Sequence, residues 1–469
     1  MSSGPDPSGR RHVVVVGGGV AGLTAAWELT RRDENVRVTL LEASPRVGGK
    51  LQVSEVAGVP VDEGAEAMLA RRPEGVELVC ALGLGDELVE PGTTRAAIWT
   101  DTLRPMPTGH VMGVPADLDA LASSGLLAPA EVDRVREDER LPATPVIEDV
   151  SVGRYVGERM GRAIVDRLVE PLLGGVYAGR ADVLSLHATV PQLVPYLRDN
   201  GSLVAAARAV TAGAPRTSAP VFASLRGGLG RLPTALASRC GAEIRTSATV
   251  RELRLLQGGW SLTVGSPRSP EQVTADAVVL ALPARPASRL LAVESPYAAA
   301  DLAMIEYAST ALVTLAFPAG AFPEPPVGSG FLVPASRGRL TKAATFVTTK
   351  WPYLAGAGIV VVRCSVGRHG EERSLQVDDD TLAAAVSAEL AEAVGVTGPP
   401  IETRVTRWGG ALPQYAVGHL DLVSRITAAV DRLPGLAVCG AAYQGVGIPA
   451  CVASARQAVD RVSAALADT

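Results

Sequence analysis

The 469-residue sequence is 47% apolar and sets 44 Lys and Arg against 49 Asp and Glu, a net charge of −5. That length can bury a large core in roughly two or three domains, and the charge offers no basic footprint for nucleic acid or an anionic membrane. The cysteines, Cys80, Cys240, Cys364, Cys439 and Cys451, are scattered without a C-x-x-C pair or a His–Cys cluster, which argues against a structural metal and a disulfide framework and for a reduced, cytoplasmic protein.

Residues 1–11 are polar and read as a loose tail rather than a signal peptide, and no uncharged apolar run reaches the length of a membrane span. Val13-Val14-Val15-Val16 is then a continuous β-branched run, as expected of a parallel strand buried on both faces. Gly17-Gly18-Gly19-Val20-Ala21-Gly22 follows, and Leu23, Ala25, Ala26 and Leu29 continue as a small-residue helix. In such a turn Gly17 takes the chain off the strand, Gly19 lets backbone approach a pyrophosphate and Gly22 lets helix and strand pack closely. The phosphates would meet N–H groups at the positive end of the helix. Val36 to Leu41 reads as a second strand with Glu42 at its end, twenty residues after Gly22, the placement of a carboxylate that binds a ribose. Ala43 follows, so no arginine is set to receive a 2′-phosphate. The pattern predicts an adenine dinucleotide, against a solvated loop glutamate beside an ordinary turn.

Glu42-Ala43-Ser44-Pro45-Arg46-Val47-Gly48-Gly49-Lys50 brings a second glycine pair that turns the chain back towards the nucleotide. The run resembles the motif that follows the dinucleotide fold in FAD-dependent amine oxidases, phytoene desaturases and porphyrinogen oxidases, and the resemblance implies FAD rather than a nicotinamide cofactor. Residues 52–55 and 59–62 look like a hairpin closed by Ala57-Gly58, delivering Glu63-Gly64-Ala65-Glu66-Ala67, which is either a close passage beside an isoalloxazine ring or an ordinary tight turn. Arg71-Arg72-Pro73 opens a helix to Leu82 that Gly83 ends; the arginine pair either clamps substrate carboxylates or is solvated.

Residues 116–200 carry helical periodicity and charged faces, an inserted helical lobe interrupted at 171–179, and 212–220 is a Gly/Pro/Ser/Thr-rich linker. Residues 224–233 form another glycine-rich turn before a helix, followed by strands at 243–245, 249–253, 260–264 and 277–281. Strands are expected again at 308–317, 330–333, 344–349 and 359–366, as a separate sheet roofing the flavin. An amphipathic helix at 378–394 follows, and 403–408 leads back to the cofactor domain. A last strand at 436–440, the turn Gly445-Val446-Gly447-Ile448-Pro449 and a helix at 451–466 close the chain, with that helix's N-terminus aimed at the flavin's pyrimidine edge.

Over essentially its whole length the sequence resembles the oxygen-dependent protoporphyrinogen and coproporphyrinogen III oxidases. The residues that carry this are Glu170-Pro171-Leu172-Leu173-Gly174-Gly175-Val176-Tyr177-Ala178-Gly179 with Leu184-Ser185, residues 225–233, Lys350-Trp351-Pro352, Arg407-Trp408, Leu412-Pro413-Gln414-Tyr415-Ala416-Val417-Gly418-His419, and residues 442–449. They look most like the soluble, coproporphyrin-forming branch. The resemblance implies an α/β protein with a Rossmann-like FAD-binding domain of the flavin amine oxidase superfamily type, a β-sheet substrate domain and an inserted helical lobe. The expected division is a tail at 1–11; a discontinuous FAD-binding domain at 12–68, 221–283 and 404–469; a substrate-binding domain at 69–108 and 284–403; and the lobe with its linker at 109–220.

The resemblance further implies non-covalent FAD held by Gly17, Gly18, Gly19, Val20, Ala21, Gly22, Leu23, Glu42, Ala43, Gly49, Lys50, Gly64, Ala65, Glu66, Ala67, Val250, Trp408, Gly447, Ile448, Pro449 and Ala450. Ala450 stands where many relatives carry an acidic residue, and the polar stretch 134–140 speaks against carrying over the lobe's membrane role in some relatives. The implied reaction is six-electron oxidation of coproporphyrinogen III to coproporphyrin III in haem biosynthesis, with dioxygen as acceptor, hydrogen peroxide as by-product and a downstream ferrochelatase as possible recipient. No metal is needed, the flavin carries the chemistry, and no side chain is singled out as catalytic; His110, His187, His369 and His419 lie far apart and read as structural. Arg71, Arg72, Arg226 and Lys350 are candidate contacts for the substrate propionates. The rival readings are a protoporphyrinogen IX oxidase, a flavin amine oxidase and a flavin-free carrier on the same scaffold. The sequence leaves the oligomeric state open.

Overall fold

The computed structural model describes residues 10–199, 201–213, 220–356 and 358–467. The tail expected at 1–11 falls mostly outside the described residues, as does the linker expected at 212–220.

A five-stranded parallel sheet runs in the order Glu243–Arg245, Val36–Leu41, Arg11–Val16, Ala277–Leu280, Leu436–Val438. Val13 and Val15 enter one hydrophobic cluster and Val14 and Val16 the other, so the valine run is what a strand covered on both faces needs. The helices Val20–Arg32, Pro73–Ala81 and Ile448–Ala467 cover the first face. The second carries the helices Ala284–Leu291, Pro296–Ala303 and His419–Val430 and a three-stranded antiparallel sheet, Val250–Leu256, Gly259–Ser266 and Ser269–Ala275. The last of these strands has no counterpart in the expectations, because it is a mostly exposed edge strand whose polar sequence has only Val273 and Ala275 buried. Strand order reverses at Arg11–Val16, which opens a crevice at its carboxyl end.

A seven-stranded sheet runs in the order Glu402–Pro413, Tyr307–Pro318, Ile359–Val366, Thr341–Phe346, Gly330–Leu332, Ala97–Trp99, Leu103–Pro105, antiparallel except where Gly330–Leu332 meets Ala97–Trp99. The helix Asp379–Val394, capped by the Asp378 carboxylate on the Thr381 N–H at 2.8 Å, packs on it. Two expectations change here. The strand placed at 344–349 ends at Phe346, and Val347–Lys350 is a helical turn in which Thr348 Oγ1 accepts from the Val361 N–H at 3.4 Å. The stretch expected to leave at 403–408 instead stays paired with Tyr307–Pro318 as far as Pro413, so the boundary placed at 404 falls inside a strand of this sheet.

The helical lobe packs the helices Leu118–Ser123, Pro129–Arg136, Val152–Met160, Glu170–Tyr177 and Leu203–Gly213 around their own core. The segment expected to interrupt it, 171–179, is helical as far as Tyr177 and ends at the left-handed Ala178, and Pro171 follows directly on the π-turn Val165–Val169, where the α-helical ladder that its missing N–H would break is already widened. The break comes at Gly161, whose φ of +89° ends one helix, and a π-turn at Val165–Val169 follows. A buried ion pair of Asp138 and Arg159 ties the lobe, and the Asp138 carboxylate also accepts from the Ser202 hydroxyl and the Val204 N–H, each at 2.9 Å. Among the described residues no helix is long and apolar enough to cross a membrane.

Candidate active site

The crevice is built from backbone. Gly17 has a φ of +109° and a Cβ there would lie 2.4 Å from the Ala281 carbonyl oxygen, while a Cβ on Gly22 would lie 1.8 Å from the Gly17 oxygen. Both positions demand glycine. Gly19 is different: a Cβ would meet nothing within 4 Å, and Gly19 is the N-cap of Val20–Arg32, a helix start with no side-chain cap and no acidic residue in its first turn. Uncapped N–H groups facing open space are what a pyrophosphate requires, so the turn fits an adenine dinucleotide.

Glu42 closes the far side. One carboxylate oxygen accepts from the Gly18 N–H at 2.6 Å and the other from the Ser44 N–H at 2.7 Å, which holds the group against the turn. The Ala248 N–H donates to the Glu42 carbonyl at 2.8 Å, bringing the corner that leads to Val250 alongside, and Ala43 is exposed. The second glycine pair does return to the first: the Gly48 N–H donates to the Gly18 carbonyl at 2.7 Å, and a Cβ on Gly49 would lie 3.3 Å from the Gly19 Cα. Arg46 braces this return by donating to the Gly49 carbonyl at 3.0 Å, with its guanidinium 5.9 Å from the Trp408 ring centre. The Trp408 indole N–H in turn donates to the Glu63 carbonyl at 2.5 Å.

Lys50 leads to the next wall, since a Cβ on Gly64 would lie 1.8 Å from the Lys50 carbonyl oxygen. The Lys50 side chain is exposed yet surrounded by protein, and this enclosure lowers its proton affinity against a small opposing effect of Cys451. Both observations describe a side chain lining a recess. The terminal helix begins at Ile448, earlier than the expected 451, so Ile448, Pro449 and Ala450 form its buried first turn. Gly447 is exposed just before it. The preceding loop is fixed by Tyr415, whose hydroxyl donates to the Ala441 carbonyl at 2.7 Å and accepts from the Gly445 N–H at 2.8 Å. Tyr415 stacks on His419 at 3.9 Å, and the His419 ring bonds the Tyr443 carbonyl at 2.9 Å.

The loop of Gly64, Ala65, Glu66 and Ala67 is pinned from above by charge. Glu66 pairs with Lys350 and, at 3.0 Å, with Arg363. Arg363 also donates to the carbonyls of Asp62 at 2.6 Å and Gly64 at 3.0 Å. Burial alone would push the Glu66 carboxyl up, but Arg363 and Lys350 outweigh it and hold the group down at about 2. Asp62 goes the other way: burial pushes it up to about 7, against the Leu229 and Gly230 N–H groups that donate to it at 3.1 Å.

Of the candidate propionate contacts, Lys350 is committed to Glu66. Arg226 is exposed, with its guanidinium 5.4 Å from the ring centre of Tyr353 in the turn that follows Lys350. Arg71 and Arg72 are exposed, Arg72 paired with Glu74 at 2.9 Å, and they follow the strand Met68–Leu69 that pairs with Phe222–Leu225, the strand leading into Arg226. The arginines thus border one small sheet. Arg363, Asp62 and Tyr415 escaped the reading of the sequence as site residues; an arginine inside the apolar strand Ile359–Val366 is the signal that could have found the first.

The family model for flavin-containing amine oxidoreductases matches residues 20–463. A coproporphyrinogen III oxidase of Mycobacterium tuberculosis is 36% identical over 97% of this chain and 98% of its own. A chloroplastic protoporphyrinogen oxidase of Nicotiana tabacum is 27% identical over 97% of this chain and 86% of its own. A crystal structure from an Exiguobacterium species, described as a candidate protoporphyrinogen oxidase, superposes with a TM-score of 0.86 at 33% identity, covering both chains fully.

Proposed function

The chain belongs to the flavin-containing amine oxidoreductase family and, within it, to the coproporphyrinogen III oxidases, and on that membership we propose that it oxidises coproporphyrinogen III to coproporphyrin III in haem biosynthesis. The observation that carries this reading is the near end-to-end match, at 36% identity, to a relative of that name, against 27% for the protoporphyrinogen oxidase. In the proposed reaction six hydrogens leave the macrocycle and three molecules of dioxygen take them up as hydrogen peroxide.

We assign non-covalent FAD to the crevice, with its pyrophosphate on the Gly17–Leu23 turn, ribose at Glu42, adenine beside Val250, and the ring region near Lys50, residues 64–67, Trp408 and residues 447–450. Bound FAD supplies a two-electron acceptor that dioxygen can reoxidise. The protein's own part is positioning and charge. The Glu66 bridge fixes the loop beneath the seven-stranded sheet, and the first turn of Ile448–Ala467 presents the positive end of a helix dipole. Arg71, Arg72 and Arg226 are the proposed propionate contacts, with Lys350 bracing the loop. The proposed setting is the cytoplasm, with dioxygen as acceptor and a ferrochelatase downstream.

The test is to prepare coproporphyrinogen III and protoporphyrinogen IX without oxygen and follow porphyrin fluorescence when air is admitted to the flavin-loaded enzyme. Faster turnover of the tetrapropionate is expected. Equal or faster turnover of the dipropionate would move the assignment to a protoporphyrinogen oxidase, and a purified protein without flavin absorbance would remove both.

A further inference from the structure

One carboxylate of the helical lobe bonds outside the lobe, to a segment that also holds the loop before the terminal helix. Asp149 lies just before Ser151, the N-cap of the helix Val152–Met160. One of its oxygens accepts from the Ser185 hydroxyl at 2.8 Å and from the Val150 and His187 N–H groups at 3.0 and 3.3 Å, all within the lobe. The other accepts from the Gly418 N–H at 2.7 Å. An ionised carboxylate offers acceptors on both oxygens and so takes these four donors at once, whereas an amide in its place has one acceptor oxygen and turns an NH2 group towards a donor.

Gly418 ends a stretch whose backbone is fastened to the lobe. The Gln414 amide donates to the Tyr177 carbonyl at 2.8 Å, and the Tyr415 carbonyl accepts from the Ser185 N–H at 2.8 Å. Ala416 bridges to Leu184, and the Val417 N–H donates to the Val183 carbonyl at 3.2 Å. Two side chains of the same stretch reach the other way. The Tyr415 hydroxyl joins the Ala441 carbonyl at 2.7 Å to the Gly445 N–H at 2.8 Å, and the His419 ring stacked on it bonds the Tyr443 carbonyl at 2.9 Å. Three backbone groups of 441–445 are thus set from 415 and 419, and that loop enters the terminal helix at Ile448.

We propose that Asp149 is a positioning residue for the flavin: from the lobe it fixes Gly418, and with it the Tyr415–His419 stack that holds the 441–445 loop and so the first turn of Ile448–Ala467. The proposal rests on the reading that places a flavin in the crevice with that first turn at its ring. Docking of the lobe and binding of the flavin are then one coupled equilibrium. Coupling of this kind is reciprocal, so a loosened lobe anchor weakens the flavin site and an empty flavin site loosens the anchor by the same factor.

The test titrates flavin into apoprotein and measures the midpoint potential of the loaded enzyme for wild type, Asp149→Asn, Tyr415→Phe, the double variant and Ser202→Ala. Asp149→Asn is expected to weaken flavin binding about tenfold, the scale of one lost hydrogen bond to a charged acceptor. It should also lower the potential, because the positive helix end no longer sits squarely against the reduced ring. Tyr415→Phe should act in the same direction, and the double variant should fall short of the sum of the two, as two cuts in one path require. Ser202→Ala removes a hydrogen bond to Asp138 inside the lobe, and it should leave the potential unmoved whatever it does to Tm. Hydrogen exchange in the wild type supplies the reciprocal readout: protection of 149–152 and 415–419 should fall when flavin is stripped, while 129–136 stays as it was. An Asp149→Asn protein with wild-type flavin affinity and potential overturns this proposal alone, as do additive effects in the double variant, a Ser202→Ala protein whose potential moves as far, or exchange at 149–152 that ignores the flavin. If Asp149→Asn does not fold, that exchange decides. A wild type that binds no flavin overturns the assignment of the crevice as well.

Discussion

The nucleotide turn and the Glu66 bridge both hold a loop at the edge of the crevice, and they do it by opposite means. Around Gly17, Gly19 and Gly22 the work is done by missing side chains: a Cβ at Gly17 or Gly22 would collide with backbone, and its absence lets strand, turn and helix close up. Around Glu66 it is done by charge, with Arg363 from the seven-stranded sheet and Lys350 from the helical turn beside it reaching onto a largely buried carboxylate. A backbone turn is written in consecutive residues and fails abruptly. A charge bridge depends on partners far apart in the chain, and it can be weakened by degrees.

The sharpest break is Gly22→Val. Its side chain would start 1.8 Å from the Gly17 carbonyl oxygen, and no rotamer relieves a backbone clash. We expect loss of flavin absorbance with a destabilisation of about 4 kcal/mol or more, the range of severe packing errors, read by flavin content and denaturant unfolding.

Next comes the bridge. Arg363→Met leaves Glu66 with Lys350 alone and frees the carbonyls of Asp62 and Gly64. Removing one member of a buried ion network costs about 3 kcal/mol, so urea unfolding should shift by that order while residual flavin binding survives. Glu66 also fixes a pH limit. Its folded carboxyl is held at about 2 from an ordinary 4.5, so its contribution is fully present above about pH 4.5 and fades as pH falls towards 2. Glu66→Gln should remove that part of the acid sensitivity.

Asp62 tests the bridge with the opposite sign. Its folded carboxyl sits at about 7 rather than 3.8, so protonation favours the folded state at low pH and the gain is lost as pH rises through 7. Asp62→Asn should flatten the decline in Tm between about pH 4 and 7, and it gives up one of the two backbone bonds, because its amide keeps a single acceptor oxygen where the carboxylate offers one to Leu229 and one to Gly230. The smallest effect belongs to Arg46→Ala, which removes a guanidinium from over Trp408 and a hydrogen bond to Gly49. We expect flavin affinity to weaken by less than about 1 kcal/mol, the scale of one exposed cation–π contact, measured by titrating flavin into apoprotein.

The same contrast explains what could be read in advance. Val13–Val16, the glycine turn and Glu42 lie within thirty residues, and their spacing alone fixes the strand, the helix start and the carboxylate beside it. The return of Gly48 and Gly49 was legible for the same reason. Lys350 read as a propionate clamp, and nothing local says that Glu66, 284 residues earlier, takes its charge. Arg363 passed as part of an apolar strand for the same reason. Pro and Gly punctuate 170–177 and make it read as an interruption, yet the chain stays helical there because the π-turn just before Pro171 accommodates the missing N–H, and the less conspicuous Gly161 is a sharper stop.

The order of strands in the parallel sheet carries a consequence for biogenesis. Its edge strand, Leu436–Val438, and the helix Ile448–Ala467 that covers one face follow the glycine turn at 17–22 by about four hundred residues of chain. A nascent polypeptide leaving the ribosome exposes that turn long before the lid of its hydrophobic layer exists, and the half-made layer is a natural client for chaperones until that lid arrives.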